Sequence, residues 1–126
     1  MRSAIIVHGM PSKEEYFKVD RPSQSNSHWL PWLQHQLIIN GFLAQTPEMP
    51  EPYKPNYEKW RSLFERFEIR EDTFLVGHSC GGGFLVRYLS ENNIQSGKLL
   101  SLLRGLIQTI LDLKKDFLTL RSTQTL

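Results

Sequence analysis

The hydrophobic pattern opens with an unbroken apolar run, Ala4-Ile5-Ile6-Val7, that stops at His8-Gly9. A short run bounded by Gly and then Pro11 predicts a strand covered on both faces, as in a parallel sheet. Residues Met10 to Ser27 are polar and charged, with Pro11, Pro22 and a Ser-Gln-Ser-Asn-Ser patch. They predict a long surface loop, and such loops are often functional. Ser27 is expected to cap a helix carrying Trp29, Trp32, Leu33, Gln36, Leu37 and Asn40, with Pro31 in its first turn and Gly41 stopping it. Phe42-Leu43-Ala44 predicts a weak second strand. Four prolines between Pro47 and Pro55 hold the next stretch extended. Asn56 is placed to cap a second helix with Tyr57, Trp60, Leu63, Phe64 and Phe67 at helical spacing. Thr73–Gly77 predicts the clearest strand, expected at the centre of the sheet with Ala4–Val7 near it. Gly81-Gly82-Gly83 opens a third helix with Phe84, Leu85, Tyr88 and Leu89 on its apolar face, ended by Asn92-Asn93. Strands alternating with helices predict an α/β fold, a parallel sheet with helices on both faces and right-handed crossovers.

After Gly97 the pattern changes. Leu fills ten of the last thirty positions against eight of the first ninety-six, while Pro, Trp, Tyr and His disappear. Leu99, Leu102, Leu103, Leu106, Ile110, Leu113 and Phe117 fall at helical spacing where a strand would be expected. The chain therefore reads as residues 1–97, part of an α/β domain, and an atypical Leu-rich, helical tail over residues 98–126.

Composition narrows the function classes. At 126 residues the chain fits one domain, and its net charge of +2 is too balanced for an obligate nucleic-acid or polyphosphate binder. No apolar run is long enough for a signal-peptide core or a membrane span, so a soluble, cytoplasmic protein with no membrane partner is expected. The single cysteine, Cys80, excludes an intrachain disulfide framework. No Cys/His cluster has metal-ligand spacing, and neither a metal nor another cofactor is expected.

The chemistry concentrates in Gly77-His78-Ser79-Cys80-Gly81, a G-x-S-x-G pentapeptide between an apolar strand and a helix. In a nucleophile elbow of this form the serine sits on a sharp strand-to-helix turn and presents its hydroxyl at the top of the sheet. Gly77 and Gly81 let strand and helix backbones approach without a Cβ clash. A serine at a helix N-terminus also has backbone N–H groups and the positive end of the helix dipole beside a developing oxyanion. Ser79 is the candidate nucleophile, and the backbone N–H groups of Met10 and Cys80 are the candidate oxyanion hole. Cys80 as a thiol nucleophile is the weaker reading, since the pentapeptide centres Ser79. His8 reads as a buried strand-end histidine bonded to backbone rather than as a base. Trp29 and Trp32 read as helix core more than as a substrate platform, His28 and His35 as surface groups on a helix, and Lys13–Lys18 as a solvated face.

Ile5-Ile6-Val7-His8-Gly9, Ser27-His28-Trp29-Leu30-Pro31-Trp32-Leu33, Pro47-Glu48-Met49-Pro50, Tyr57-Glu58-Lys59-Trp60 and Val76-Gly77-His78-Ser79 together resemble the retinoblastoma-binding-protein-9-like, or YdeN-like, serine hydrolases of the α/β-hydrolase superfamily. The resemblance runs from about Ala4 to Gly97. It implies a partial α/β-hydrolase sheet, a Ser nucleophile at Ser79, a downstream Asp, a C-terminal His, and small ester or amide substrates. The L-x-C-x-E motif for retinoblastoma binding has no counterpart, because Cys80 stands alone, and no protein partner is identified.

The departure from that pattern is sharp. Chain order in the superfamily is Ser, then acid, then His, yet no histidine follows His78, and the only later aspartates are Asp112 and Asp116. The genetic code permits one explanation. Codons can be chosen for Leu99–Gln108 that, read one base earlier, encode I-I-V-A-P-W-L-D-P. Codons for Leu120–Thr125 read in that same frame encode F-E-I-D-P-N. Both resemble the expected continuation, so the tail is expected to be a frameshifted translation of a truncated hydrolase. Three functions follow as alternatives: a carboxylesterase-like serine hydrolase, a catalytically inactive fragment of one, or a small protein-binding module using the Met10–Ser27 loop and the tail.

Overall fold

A computed structural model describes residues 1–92. The chain divides after Tyr88 into two units, and the sheet and site described here lie in the first, Met1–Tyr88. The expected boundary at 97/98, the Leu-rich helix and Asn93 lie outside the described residues.

The elements run β1 (Ser3–Val7), α1 (Lys13–Tyr16), a 3₁₀ turn (Gln24–Asn26), α2 (Leu30–Ile39), β2 (Leu43–Gln45), α3 (Tyr57–Phe64), β3 (Phe74–Gly77) and α4 (Cys80–Glu91). All the described strands are parallel, in the order β2-β1-β3. Ser3 pairs with Leu43 on one side of β1, while Val7 pairs with Gly77 on the other. Among the described residues β1, not the strand ending at Gly77, is therefore the middle strand. Ala4, Ile5, Ile6 and Val7 are all buried, as suits a strand paired on both edges and covered on both faces.

Each helix is set by a local feature of the sequence. The Asn56 carboxamide accepts a hydrogen bond from Lys59 N–H at 3.1 Å and caps α3. Trp60 and Phe64 are buried on its inner face, where their rings and that of Tyr57 meet Phe84 of α4 at 5.4–5.7 Å. Phe67 lies beyond the end of α3. In α2 the buried positions are Leu30, Leu33 and Leu37, which pack on β1 and β2. Gly41 follows at φ +87°, a conformation glycine adopts without steric cost.

Two expectations at the start of α2 are corrected. Ser27 does not cap the helix, because its hydroxyl donates backward to Ser23 C=O at 2.9 Å and the chain then turns through His28 at φ +59°. The helix starts only at Leu30, so His28 and Trp29 lie off it, while exposed His35 lies on it. The segment Met10–Ser27 is largely exposed, as expected of a surface loop, but it is not irregular throughout. It contains α1, capped by the Ser12 hydroxyl on Glu15 N–H, and the 3₁₀ turn, whose Gln24 and Ser25 are buried. Lys13, Glu14 and Lys18 are exposed as expected, with Glu15 half-buried.

Candidate active site

Ser79 occupies the single residue between His78, which continues the β3 ladder by donating its N–H to Val7 C=O at 2.9 Å, and Cys80, where α4 begins. Its φ is +55°, a left-handed conformation that costs a non-glycine residue about 1–2 kcal/mol. The side chain is exposed. The Ser79 carbonyl accepts from Gly82 and Gly83 N–H at 3.0 and 3.3 Å, so this residue also starts the helix.

The neighbouring glycines are dictated by contact. A Cβ on Gly77 would lie 2.4 Å from Gly82 Cα, and one on Gly81 would lie 2.3 Å from Val7 C=O. The first turn of α4 thus rests directly on the ends of β3 and β1. Gly9, after β1, brings the opposite loop alongside: its missing Cβ would lie 3.3 Å from both Ser79 Cβ and His78 Nδ1. Met10 N–H leaves from that loop and Cys80 N–H from the start of α4. Among the described residues neither N–H has a hydrogen-bond partner. One free donor thus lies at the start of α4 beside Ser79, and the other directly follows Gly9, the residue in contact with Ser79.

Three histidines surround this turn in different states. His8 is buried; its Nε2 accepts from Met49 N–H at 2.9 Å and its Nδ1 donates to Gly9 C=O at 2.7 Å. Met49 N–H occupies Nε2, so the Glu48 carboxylate 3.9 Å away receives no hydrogen bond from it. His8 is a structural clamp, the role expected of it. His78 is half-buried, and burial first, then the neighbouring His28, holds its pKa below the usual value. Burial pushes the Cys80 thiol up, which keeps it protonated and a poor nucleophile.

Outward from His78 the structure departs from expectation. The ring of His28 lies 5.4 Å from it, and Trp29 meets it edge-on at 5.3 Å. Trp29 and Trp32 are only partly buried, so neither is helix core; Leu30, Leu33 and Leu37 fill that role. The positive φ at His28 swings Trp29 off the helical register on which the core reading depended. The segment Pro47–Pro50 was conspicuous in sequence without a stated function. It is pinned by His8 at Met49, by Trp60 Nε1 donating to Pro50 C=O at 3.0 Å, and by Glu48, whose carboxylate accepts from Gln24 and Ser25 N–H at 3.2 and 2.8 Å. Glu48 was missed as a site residue. Nothing in the proline-held stretch marked it, since Glu51 is a second acidic side chain there.

A parallel sheet with a strained serine turn at the C-terminal end of a strand, opposite a glycine loop, defines a fold of the α/β-hydrolase type. The crystal structure of the ydeN gene product from B. subtilis matches it with a TM-score of 0.55 at 34% identity, covering 71% of this chain and 43% of that one. In sequence, the chain is homologous to the protein named "Putative hydrolase YdeN" of Bacillus subtilis (strain 168), 32% identical over 82 residues, or 64% of this chain and 43% of YdeN. The match thus spans less than half of that relative's length. No family model matches. Among the described residues no helix is long and apolar enough to cross a membrane.

Proposed function

We propose that this chain carries the nucleophile and oxyanion hole of a serine hydrolase acting on small ester or amide substrates. The observation that carries the reading is Ser79 itself: an exposed hydroxyl at φ +55°, next to Cys80 and in contact with Gly9, with the N–H groups of Cys80 and Met10 unpartnered among the described residues. A strained backbone persists only where its surroundings enforce it, and such strain clusters at functional sites. The homology to YdeN supports the same class of chemistry.

In the first half-reaction Ser79 Oγ loses its proton to a base and attacks the substrate carbonyl carbon. The carbonyl oxygen becomes an oxyanion that accepts hydrogen bonds from Met10 and Cys80 N–H. Collapse breaks the ester or amide bond, the leaving alcohol or amine takes the proton, and Ser79 holds the acyl group. Water then attacks the acyl-enzyme by the same route and regenerates the hydroxyl. Each fixed oxyanion donor is worth about 10²–10³ in rate. His8 cannot serve as that base, being committed to backbone on both nitrogens, and no histidine follows His78 in this sequence.

Exogenous imidazole tests the reading, because it can take the place of an absent histidine. Hydrolysis of a p-nitrophenyl ester by the 126-residue chain should rise with imidazole concentration beyond the rise measured with Ser79→Ala. Equal rates for the two proteins at every imidazole concentration would overturn the assignment of Ser79.

A further inference from the structure

The turn that brings His28 and Trp29 against His78 is poorly held by its own interactions. His28 is exposed and left-handed, so its position costs energy rather than supplying it. It also lines a cavity of about 210 Å³ with Arg21, Gln24 and Ser27, so close packing does not fix the turn from that direction. Among the described residues, the hydrogen bonds of residues 22–29 stay local, such as Ser27 Oγ to Ser23 C=O, Asn26 Nδ2 to Ser23 Oγ and Leu33 N–H to Trp29 C=O, with one exception. The exception is the pair of N–H groups on Gln24 and Ser25, which both donate to the Glu48 carboxylate.

We propose that Glu48 is a positioning residue that, by gripping the Gln24 and Ser25 N–H groups, holds His28 and Trp29 against His78 as one wall of the approach to Ser79. A carboxylate suits the task, since its two oxygens receive two adjacent N–H donors and the charge strengthens both bonds. Its own place is fixed by the residues on either side of the Glu48–Met49 peptide. Buried Pro47 precedes it, and Met49 N–H is locked on His8. The connection therefore runs from the end of β1, through His8, Met49 and Glu48, to the 3₁₀ turn and the aromatic pair. The wall matters for catalysis only on the reading of Ser79 as nucleophile; the positioning itself does not depend on it.

Glu48→Gln is the discriminating variant, because it keeps the shape but sets an NH₂ group against one of the two donors. NMR on the full 126-residue chain reads the result without any turnover. In the unmodified protein the His78 Cε1–H resonance should carry the ring-current shift of Trp29 and His28. In Glu48→Gln it should move toward its position in a His28→Gly/Trp29→Ala variant, while the β1 and β3 amides stay unchanged. The Gln24 and Ser25 amides should exchange with solvent about ten- to a hundred-fold faster, the range expected for losing bonds to a charged acceptor. An unmoved His78 resonance in folded Glu48→Gln would overturn the proposal. If the variant does not fold, the unmodified chain decides: slow exchange at both amides supports the grip, and exchange at the rate of exposed amides overturns it. Failure of imidazole rescue with this NMR signature intact would remove the nucleophile reading and leave the role of Glu48 standing.

Discussion

At Ser79, stability and function are set in opposition. A left-handed serine is tolerated because His78 is tied to β1 and α4 starts from the serine's own carbonyl. Glycine occupies that conformation freely, so Ser79→Gly should raise stability by up to about 1 kcal/mol while removing the proposed nucleophile. A urea midpoint that falls in Ser79→Gly would show that the turn is not strained. His78 adds a pH dependence. Its folded-state pKa lies below the ordinary value of 6.5, so the folded protein binds the proton less readily than the unfolded chain does. Stability is then complete above pH 6.5 and declines as the pH falls from there toward the lowered folded value. Urea midpoints between pH 7 and 5 should drop, and the drop should shrink in His78→Gln. The pentapeptide was legible from sequence because strand, glycines and serine are contiguous and shape one another locally. His28 was not, since nothing in its neighbourhood marks a positive φ, and Ser27 and Trp29 fit a helical register equally well on paper. Glu48 acts on residues 23 and 24 positions away, beyond the reach of any periodicity.

Helices and strands separate into those held by local chemistry and those placed by contact. The Asn56 cap of α3 belongs to the first kind, and Asn56→Ala should cost about 1 kcal/mol in denaturation; a change below a few tenths would mean that packing of Trp60 and Phe64 alone fixes the helix. The start of α4 belongs to the second. Gly77→Ala and Gly81→Ala force a methyl into backbone at 2.4 and 2.3 Å and should destabilise by 1–3 kcal/mol or more, roughly the cost of overpacking. Gly83, where an added Cβ meets nothing within 4 Å, provides the internal control. Gly83→Ala should stabilise by about 0.5–1 kcal/mol through helix propensity. Similar losses at all three positions would refute the close-approach account. Apolar runs made the strands readable, and Asn56 ahead of apolar positions at helical spacing made α3 readable. Sheet order was not written in those runs, because β1 and β3 are both short and apolar, and the crossovers decide which of them lies between two neighbours.

For the whole chain, the question is where a base comes from. The match to YdeN covers 43% of that protein, and no histidine follows His78 in this sequence. We expect the 126-residue chain to turn over esters very slowly, since loss of a triad histidine costs on the order of 10⁶ in rate and leaves about 10³–10⁴ over water. A chain translated in the alternative frame beyond Ser96, with its continuation, should recover an esterase that Ser79→Ala abolishes. Fast, Ser79-dependent turnover by the 126-residue chain would contradict this expectation. The nucleotide sequence after the Ser96 codon tests the frame directly.

The middle position of β1 also carries a cost in time. Val7 leaves the ribosome about 70 residues before Gly77, its partner on β3. At translation rates of roughly 5–20 residues per second, that interval is about 4–14 seconds. Throughout it, Ala4-Ile5-Ile6-Val7 has at most β2 to pair with, and one strand edge of the most apolar segment in the sheet stays open. A nascent chain of this design is exposed to chaperones, and to other nascent chains, until the serine turn itself has been synthesised.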